Sequence, residues 1–216
     1  MAGITTLLFD FWGTLVEQGT KSPLRQTYSL LRPRMGFPQF AEHFETVFMT
    51  KEYADLNEAF AEVLEEFRVP PNQALVEKLI GIWNTNWLLA KPYPDTIASL
   101  EKLKKEGFTL GLVANTQIQA IEKVLEKHDL TKLFDTVTLS YKEGELKTTG
   151  ALMIIALERL QKTPEETVFI GDSVETDVRG AELAGITPLL IDRYLKRPQF
   201  EPRITTLNEL PEVFQQ

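Results

Sequence analysis

Three carboxylates, one amide and one lysine stand at positions where they could bind a cation and an anionic substrate together. Asp10, Asn115 and Asp172 each follow a short apolar run, and Asp177 comes shortly after Asp172. Carboxylates gathered around one point repel each other unless protons or a metal ion intervene, and Mg²⁺ is a hard cation that prefers oxygen ligands. Lys147 precedes a helical pattern and could hold an anion against these carboxylates. The pattern indicates a Mg²⁺ site beside an anion site.

The apolar runs before these residues have the character of neighbouring strands in one parallel sheet. They are short, rich in branched residues and bounded by Gly, Asp or Asn, as buried strands are. Helical patterns alternate with the later runs, so we predict the α/β class, with helices on both faces of the sheet. The carboxyl ends of parallel strands meet at one edge, which would bring the candidate residues together. The predicted strands are residues 4–9, 108–113, 168–170 and 188–191, with 136–139 as a candidate fifth, and the helices are residues 95–106, 117–128, 149–161 and 175–184.

The segment from residue 17 to residue 91 interrupts this alternation. It carries no convincing strand and instead has four helical patterns, at residues 23–35, 40–53, 56–68 and 72–89, punctuated by prolines. We therefore predict an all-helical cap (17–91) over the carboxyl edge of a core formed by residues 1–16 and 92–216. The turn-rich flanks, residues 18–20 and 91–94, would be the hinges of a mobile lid. An ordinary helical subdomain that does not move is the alternative.

Composition narrows the class of partner. The 216 residues are 43% hydrophobic, enough for one substantial core and a smaller insert. The net charge of −8 argues against a nucleic acid partner, and the absence of cysteine excludes disulfide and thiolate chemistry. The N-terminal stretch lacks the basic region of an export signal, and no apolar run approaches the roughly 18 residues of a membrane span. We expect a cytoplasmic protein that binds a small molecule and neither nucleic acid nor membrane.

Four motifs in this order resemble those of the haloacid dehalogenase-like hydrolases over nearly the whole chain. The first is Asp-Phe-Trp-Gly-Thr-Leu at residues 10–15, the second is Ala-Asn-Thr at 114–116, and the third is Lys147. The fourth is Gly-Asp-Ser-Val-Glu-Thr-Asp at residues 171–177, followed by Gly180, Ala181 and Gly185. The resemblance implies a Rossmann-like core, a helical cap and a covalent mechanism with an aspartate nucleophile.

The resemblance also implies catalytic and substrate-binding roles. Asp10 would be the nucleophile, and Lys147 would orient it and neutralise the anion in the transition state. Asn115 would donate hydrogen bonds to the transferring group, and Thr14 would fix the nucleophile loop beside the substrate.

The metal site implied by the resemblance uses four residues. Asp10 and Asp172 would ligate Mg²⁺, and Asp177 would help to position it directly or through water. In this family the residue two places after the nucleophile contributes its backbone carbonyl to the metal. Trp12 keeps that function whatever its side chain.

Trp12 is the clearest departure from the family's phosphatases, which have a second aspartate at this position as proton donor. General acid catalysis is typically worth about 10² to 10⁴ in rate. Its loss would be severe for a poor alkoxide leaving group and mild for an acyl or aryl phosphate. Ala114 and Thr148 also replace the usual hydroxyl residue of motif two and the proline of motif three.

Three functions are consistent with this pattern. The Gly-Asp form of motif four favours a Mg²⁺-dependent phosphatase acting on a small phosphorylated metabolite. The aromatic Trp12 resembles the 2-haloacid dehalogenase branch, where a tyrosine occupies the position and halide leaves without a proton; Arg25, Arg32 and Arg34 are the arginines available in the insert. The third function is a catalytically weak or inactive relative that binds a phosphorylated ligand or a protein. We expect the phosphatase, with the other two as alternatives.

Overall fold

The computed structural model describes residues 3–18, 21–117 and 120–214. The strands are β1 (Thr6–Phe9), β2 (Val16–Glu17), β3 (Lys91–Pro92), β4 (Thr109–Ala114), β5 (Thr136–Leu139), β6 (Thr167–Gly171), β7 (Thr187–Ile191) and β8 (Arg203–Ile204). The α-helices are α1 (Pro23–Leu31), α2 (Phe37–Met49), α3 (Leu56–Glu66), α4 (Gln73–Leu89), α5 (Thr96–Lys105), α6 (Ala120–Lys127), α7 (Ser140–Glu143), α8 (Ala151–Leu160), α9 (Arg179–Leu183) and α10 (Leu210–Phe214). A π-helical turn, Val174–Val178, precedes α9.

Six strands form one parallel sheet in the order β5-β4-β1-β6-β7-β8. The predicted α/β class is confirmed, and the candidate strand at residues 136–139 is part of the sheet. The pattern did not predict the two-residue strands β2, β3 and β8, which are too short to carry periodicity. Because β1 lies in the middle, between β4 and β6, its carboxyl end is surrounded by the ends of both neighbours.

Alternate side chains of β1 enter two different apolar cores, as the two-residue period of a strand requires. Leu7 and Phe9 pack in the larger core on one face of the sheet, while Leu8 packs with Phe169 on the other. All of these side chains are buried. The strand before Asp10 is therefore anchored on both faces, which fixes the position of the carboxylate that follows it.

The insert helices α1 to α4 build a separate aromatic core. Phe44 lies between Phe48 and Trp83, and Phe48 also contacts Phe60. The helix starts are defined locally, since the Asp55 side chain accepts from the backbone of the first turn of α3 and Asn72 does the same for α4. These helices lie where the sequence predicts the cap.

The two connections to the insert lie side by side. Val16 pairs with Pro92 and Glu17 with Lys91 in an antiparallel ladder. Of the predicted hinge residues, 91–94 and Gln18 are described, while residues 19 and 20 lie outside the described residues. In the described part of the chain, no helix is both long and apolar enough to cross a bilayer.

Candidate active site

Three carboxylates meet at the carboxyl edge of the sheet. Asp10 follows β1, Asp172 follows β6, and Asp177 lies in the π-helical turn. One oxygen of each lies within 4.8 Å of the others. Asp10 and Asp177 are buried, whereas the Asp172 side chain opens to the cleft. The enclosing protein and the charges of Asp10 and Asp177 raise the pKa of Asp172, despite this opening to solvent. The sequence-predicted acidic residues are thus brought to one point.

Lys147 connects two of these carboxylates. Its ammonium group donates to Asp10 and, at 2.6 Å, to Oδ1 of Asp177, and the residue is only 3% exposed. Burial alone would lower the pKa of Lys147, but the charges of Asp10 and Asp177 outweigh it and raise the pKa. Lys147 is therefore held as a cation beside Asp10.

The two oxygens of the Asp10 carboxylate differ in their hydrogen bonding. Oδ1 accepts the hydrogen bond from Lys147, while Oδ2 is buried and has no hydrogen-bond partner among the described residues. Burial raises the pKa of Asp10 to about 6, against the lowering effect of Lys147. A buried carboxylate oxygen without a donor is costly, and a bound cation or an electrophile would relieve that cost.

Glycines allow the loops to approach this closely. Gly13 has φ of +84°, and a Cβ at this position would lie 2.3 Å from Oδ2 of Asp172. A Cβ on Gly180 would lie 2.1 Å from the carbonyl oxygen of Lys147. Side chains at these two positions would push the nucleophile loop away from Asp172, or α9 away from the loop that carries Lys147.

The π-helical turn positions Asp177. Its Oδ2 accepts from the backbone N–H of Ser173 at 3.1 Å, and its Oδ1 also receives a hydrogen bond from the Thr176 hydroxyl at 3.3 Å. The helix predicted over residues 175–184 therefore begins with a wider turn, which points this carboxylate inward at Lys147.

Asn115 joins the core to the insert. Its Oδ1 accepts from the backbone N–H of Lys147 at 2.9 Å, which leaves its Nδ2 to donate to Oε2 of Glu45 at 3.1 Å. Glu45 belongs to α2. Burial raises the pKa of the Glu45 carboxyl, with opposing contributions from the Asn115 hydrogen bond and the charge of Lys147.

Thr14 and Trp12 lie on the loop after Asp10. Thr14 is completely buried and does not line the cleft, while its carbonyl oxygen accepts two hydrogen bonds from the Arg193 guanidinium, at 3.0 and 2.6 Å. Trp12 lines the cleft and packs edge-on against Phe11, with ring centroids 5.0 Å apart. Position 12 therefore contributes an aromatic ring, and no carboxyl group, to the wall of the cleft.

A cavity of about 230 Å³ lies between the sheet edge and the insert. The core contributes Asp10, Asn115, Lys147, Asp172 and Asp177 to its wall, so these candidate residues share one cavity. The insert contributes Glu45, the uncharged polar residues Ser22 and Asn86, and an apolar group, Leu24, Met49, Trp83 and Trp87. Among the described residues that line it, Lys147 is the one cation.

A model of the haloacid dehalogenase-like hydrolase family matches residues 4–185, which contain all four motifs. The chain belongs to this family. The glyceraldehyde 3-phosphate phosphatase of Methanopyrus kandleri is 33% identical to this hydrolase over 135 residues, which cover 62% of this chain and 57% of the relative. The match thus spans little more than half of that protein.

Two further relatives of this hydrolase match over most of their length. The phosphoglycolate phosphatase of Aquifex aeolicus is 26% identical over 196 residues, or 88% of this chain and 86% of the relative. The crystal structure of a phosphatase of the same superfamily from Thermococcus onnurineus is 25% identical, with a TM-score of 0.63 over 97% of both chains.

Sequence reasoning missed Glu45, which lines the cavity, and Arg193, which holds the nucleophile loop through the Thr14 carbonyl. Glu45 is one of several acidic residues in the insert, and the helical pattern that marks Phe44 as buried does not say which polar neighbour faces the cleft. Arg193 is the second residue after β7, so its place near a strand end was the available signal. Trp83 packs in the aromatic core of the insert and also lines the cleft.

Proposed function

We propose that this hydrolase is a Mg²⁺-dependent phosphatase that acts on a small phosphorylated metabolite through Asp10. One observation carries the proposal: Lys147 fixes Oδ1 of Asp10, while Oδ2 remains buried beside two further carboxylates, with no hydrogen-bond partner in the part of the chain that the structure describes. This is the arrangement expected of a nucleophile oriented by a cation next to a metal site.

The residues present fit Mg²⁺. The carboxylates of Asp10 and Asp172 supply hard oxygen donors within 4.8 Å of each other, and three clustered acids with one lysine leave negative charge to neutralise. Asp10, Asp172 and the Trp12 carbonyl would hold the ion, with Asp177 acting directly or through water. When bound, Mg²⁺ would withdraw charge from the phosphoryl oxygens.

The side chains then divide the reaction between them. Oδ2 of Asp10 attacks phosphorus, the ester P–O bond breaks, and the phosphoryl group is held by Asp10 as an acyl phosphate. Lys147 keeps the nucleophile oriented and offsets the charge on the phosphoryl oxygens. Asn115 donates to the transferring group from the Nδ2 that contacts Glu45. Water then cleaves the acyl phosphate and restores the Asp10 carboxylate.

The wall formed by the insert supports an uncharged leaving group. Leu24, Met49, Trp83 and Trp87 give this side apolar surface beside the uncharged Ser22 and Asn86, and Lys147 is committed to Asp10 and Asp177. A second anionic group on the substrate would find no free cation among the described lining residues. Because a desolvated, unpaired charge is costly, we expect a neutral alcohol as the leaving group.

The dehalogenase alternative has less support. The three insert arginines available to bind a haloacid carboxylate, Arg25, Arg32 and Arg34, do not line the cavity, and the Arg25 guanidinium stacks on the Phe37 ring. A metal-free displacement would also leave the three clustered carboxylates with Lys147 as their single described counterion. Trp12 alone favours this branch.

The test is phosphate release from p-nitrophenyl phosphate and acetyl phosphate, with Mg²⁺ and with EDTA. Turnover that needs Mg²⁺ and disappears in Asp10→Asn, together with an acyl phosphate on Asp10 detected by mass spectrometry after acid quench, would support the phosphatase. Halide release from 2-chloropropionate in EDTA would favour the dehalogenase. Binding of phosphate esters without turnover on either panel would favour the inactive relative.

A further inference from the structure

The carboxyl group that α2 contributes to the cavity has no part in the mechanism above. Glu45 lines the same cavity as Asp10 and Asp172. Its Oε2 accepts the hydrogen bond from Asn115, and among the described residues Oε1 has no hydrogen-bond partner. One oxygen is thus held in place while the other is left for a ligand.

The other titratable groups of the cavity have functions that conflict with proton donation to the leaving group. Among the described lining residues these groups are Asp10, Glu45, Lys147, Asp172 and Asp177. Asp10 attacks, and Lys147 is held as a cation by two carboxylates, so it releases its proton poorly. Asp172 and Asp177 belong to the carboxylate cluster around the nucleophile. Glu45 is the acid that remains.

The position of Glu45 also matches the direction in which the leaving group departs. Phosphoryl transfer places the attacking and leaving oxygens roughly in line, on opposite sides of phosphorus. Asp10 attacks from the sheet edge, so the leaving oxygen points towards the insert, where α2 presents Glu45. Trp12, on the nucleophile loop, has no proton of suitable acidity to give.

Resting on the phosphatase function proposed above, we propose that Glu45 is the general acid of this hydrolase and replaces the aspartate missing at position 12. The O–H bond of the Glu45 carboxyl breaks as the ester P–O bond breaks, and the alcohol leaves with that proton. When water attacks the acyl phosphate, Asp10 departs as a carboxylate and Glu45 takes the proton released by the water. Burial raises the pKa of Glu45 and so favours the protonated form needed in the first step.

The experiment compares Glu45→Gln with Glu42→Gln on two substrates of opposite leaving-group quality. In the first variant the new amide still offers an oxygen to Asn115 but has no acidic proton. Glu42 is an exposed residue on the same helix and serves as the matched control. The substrates are 2-hydroxyethyl phosphate, whose alkoxide is a poor leaving group, and acetyl phosphate, whose carboxylate leaves without a proton. The readout is kcat/KM, which includes the departure of the leaving group.

Glu45→Gln should lower kcat/KM on 2-hydroxyethyl phosphate by about 100-fold or more and leave acetyl phosphate nearly unchanged. Glu42→Gln should change neither. Retained turnover of acetyl phosphate also shows that the variant is folded. Adding Trp12→Asp to Glu45→Gln should restore a large part of the lost rate, since it returns an acid to the nucleophile loop.

If Glu45→Gln lowers kcat/KM equally on both substrates, or does not lower it on 2-hydroxyethyl phosphate, the function of Glu45 as general acid is overturned. The proposed phosphatase function would be unaffected. Wild-type turnover confined to acetyl phosphate would overturn it too, because no acid would then be in use. A wild-type protein without Mg²⁺-dependent turnover of any phosphate would overturn the proposed function itself, and this proposal with it.

Discussion

Lys147 Nζ lies 2.6 Å from Asp177 Oδ1, and both side chains are almost completely buried. The carbonyl oxygen of the same lysine lies against Gly180, and its backbone N–H donates to Asn115. Its ammonium group also donates to Asp10, so the Asp10 loop, the Asn115 loop and residues 177–180 converge on this lysine. Its charge balances acids that would otherwise repel each other inside the protein.

Replacing Lys147 with methionine is expected to destabilise the protein and abolish turnover. The change leaves Asp10 and Asp177 buried without their cation, and breaking a buried ion pair from one side costs about 3–5 kcal/mol. Urea unfolding at pH 8 in EDTA measures the loss. The control is Lys142→Met, which removes a partly exposed partner of Glu122 and should cost less than about 1 kcal/mol. Similar losses in the two variants would contradict the predicted importance of the buried pair.

Gly180→Ala should impair activity because its Cβ would lie 2.1 Å from the Lys147 carbonyl oxygen. Relief of that overlap requires α9 or the lysine loop to move, at a cost of about 1–3 kcal/mol in stability. A displaced catalytic group can lower the rate by about 100-fold. Unfolding curves and kcat on p-nitrophenyl phosphate provide the two measurements.

Gly81→Ala is the matched control for this substitution. Gly81 lies inside α4, and a Cβ there meets no atom within 4 Å. Alanine is favoured over glycine within helices, so this variant should be more stable by about 0.5–1 kcal/mol, with unchanged turnover. A Gly180→Ala variant as active as Gly81→Ala would show that the lysine loop tolerates the extra methyl group.

Asp10 is expected to make the metal-free protein less stable as the pH rises. Burial raises the pKa of Asp10 from 3.8 to about 6, so between these values the folded state binds more protons than the unfolded chain. The free energy of unfolding then falls with rising pH across this interval, and Asp10→Asn removes that dependence. The free energy of unfolding of Asp10→Asn should therefore exceed that of the native protein by an amount that increases up to about pH 6 and is constant above it.

Urea unfolding in EDTA at a series of pH values measures this difference. Saturating Mg²⁺ should weaken the trend, because the ionised carboxylate then gains a partner. A difference that stays constant with pH in EDTA would mean that the folded state does not perturb Asp10.

The apolar insert wall predicts a preference for substrates with one anionic group. The value of kcat/KM for 2-hydroxyethyl phosphate should exceed that for 2-phosphoglycolate, which carries an added carboxylate, by at least about tenfold, equivalent to ~1.4 kcal/mol. Leu24→Arg places a cation on this wall and should narrow the ratio, whereas Leu24→Met should not. Equal use of both substrates by the native protein would show that the second anion finds a partner.

The arrangement of the core could be predicted because it depends on patterns that neighbouring residues carry. The run before Asp10 and the run before Asp172 both read as buried strands, and parallel strands bring their carboxyl ends together. The contact of Lys147 with Asp10 could be predicted only from the resemblance to a family. The residues around Lys147 form a charged run that is typical of a solvated surface segment.

The insert side of the cleft could not be predicted in the same way. Helical periodicity identifies Phe40, Phe44 and Phe48 as one buried face of α2, but Glu45 adjoins that face and its direction depends on how the whole helix rests on the core. The function of Thr14 as a substrate-binding residue stays a prediction. Its side chain is buried, and Thr14 is not among the residues that line the cavity.

The paired strands β2 and β3 bring the entry and exit of the insert to adjacent residues, Glu17 and Lys91. The core therefore joins the insert at two neighbouring chain ends. A helical segment from a related protein could be grafted between these ends without changing the register of the sheet. A chimaera that keeps Asp10 and Lys147 but receives another insert would lose Glu45, and it would therefore take both its proton donor and its choice of leaving group from the donor of the insert.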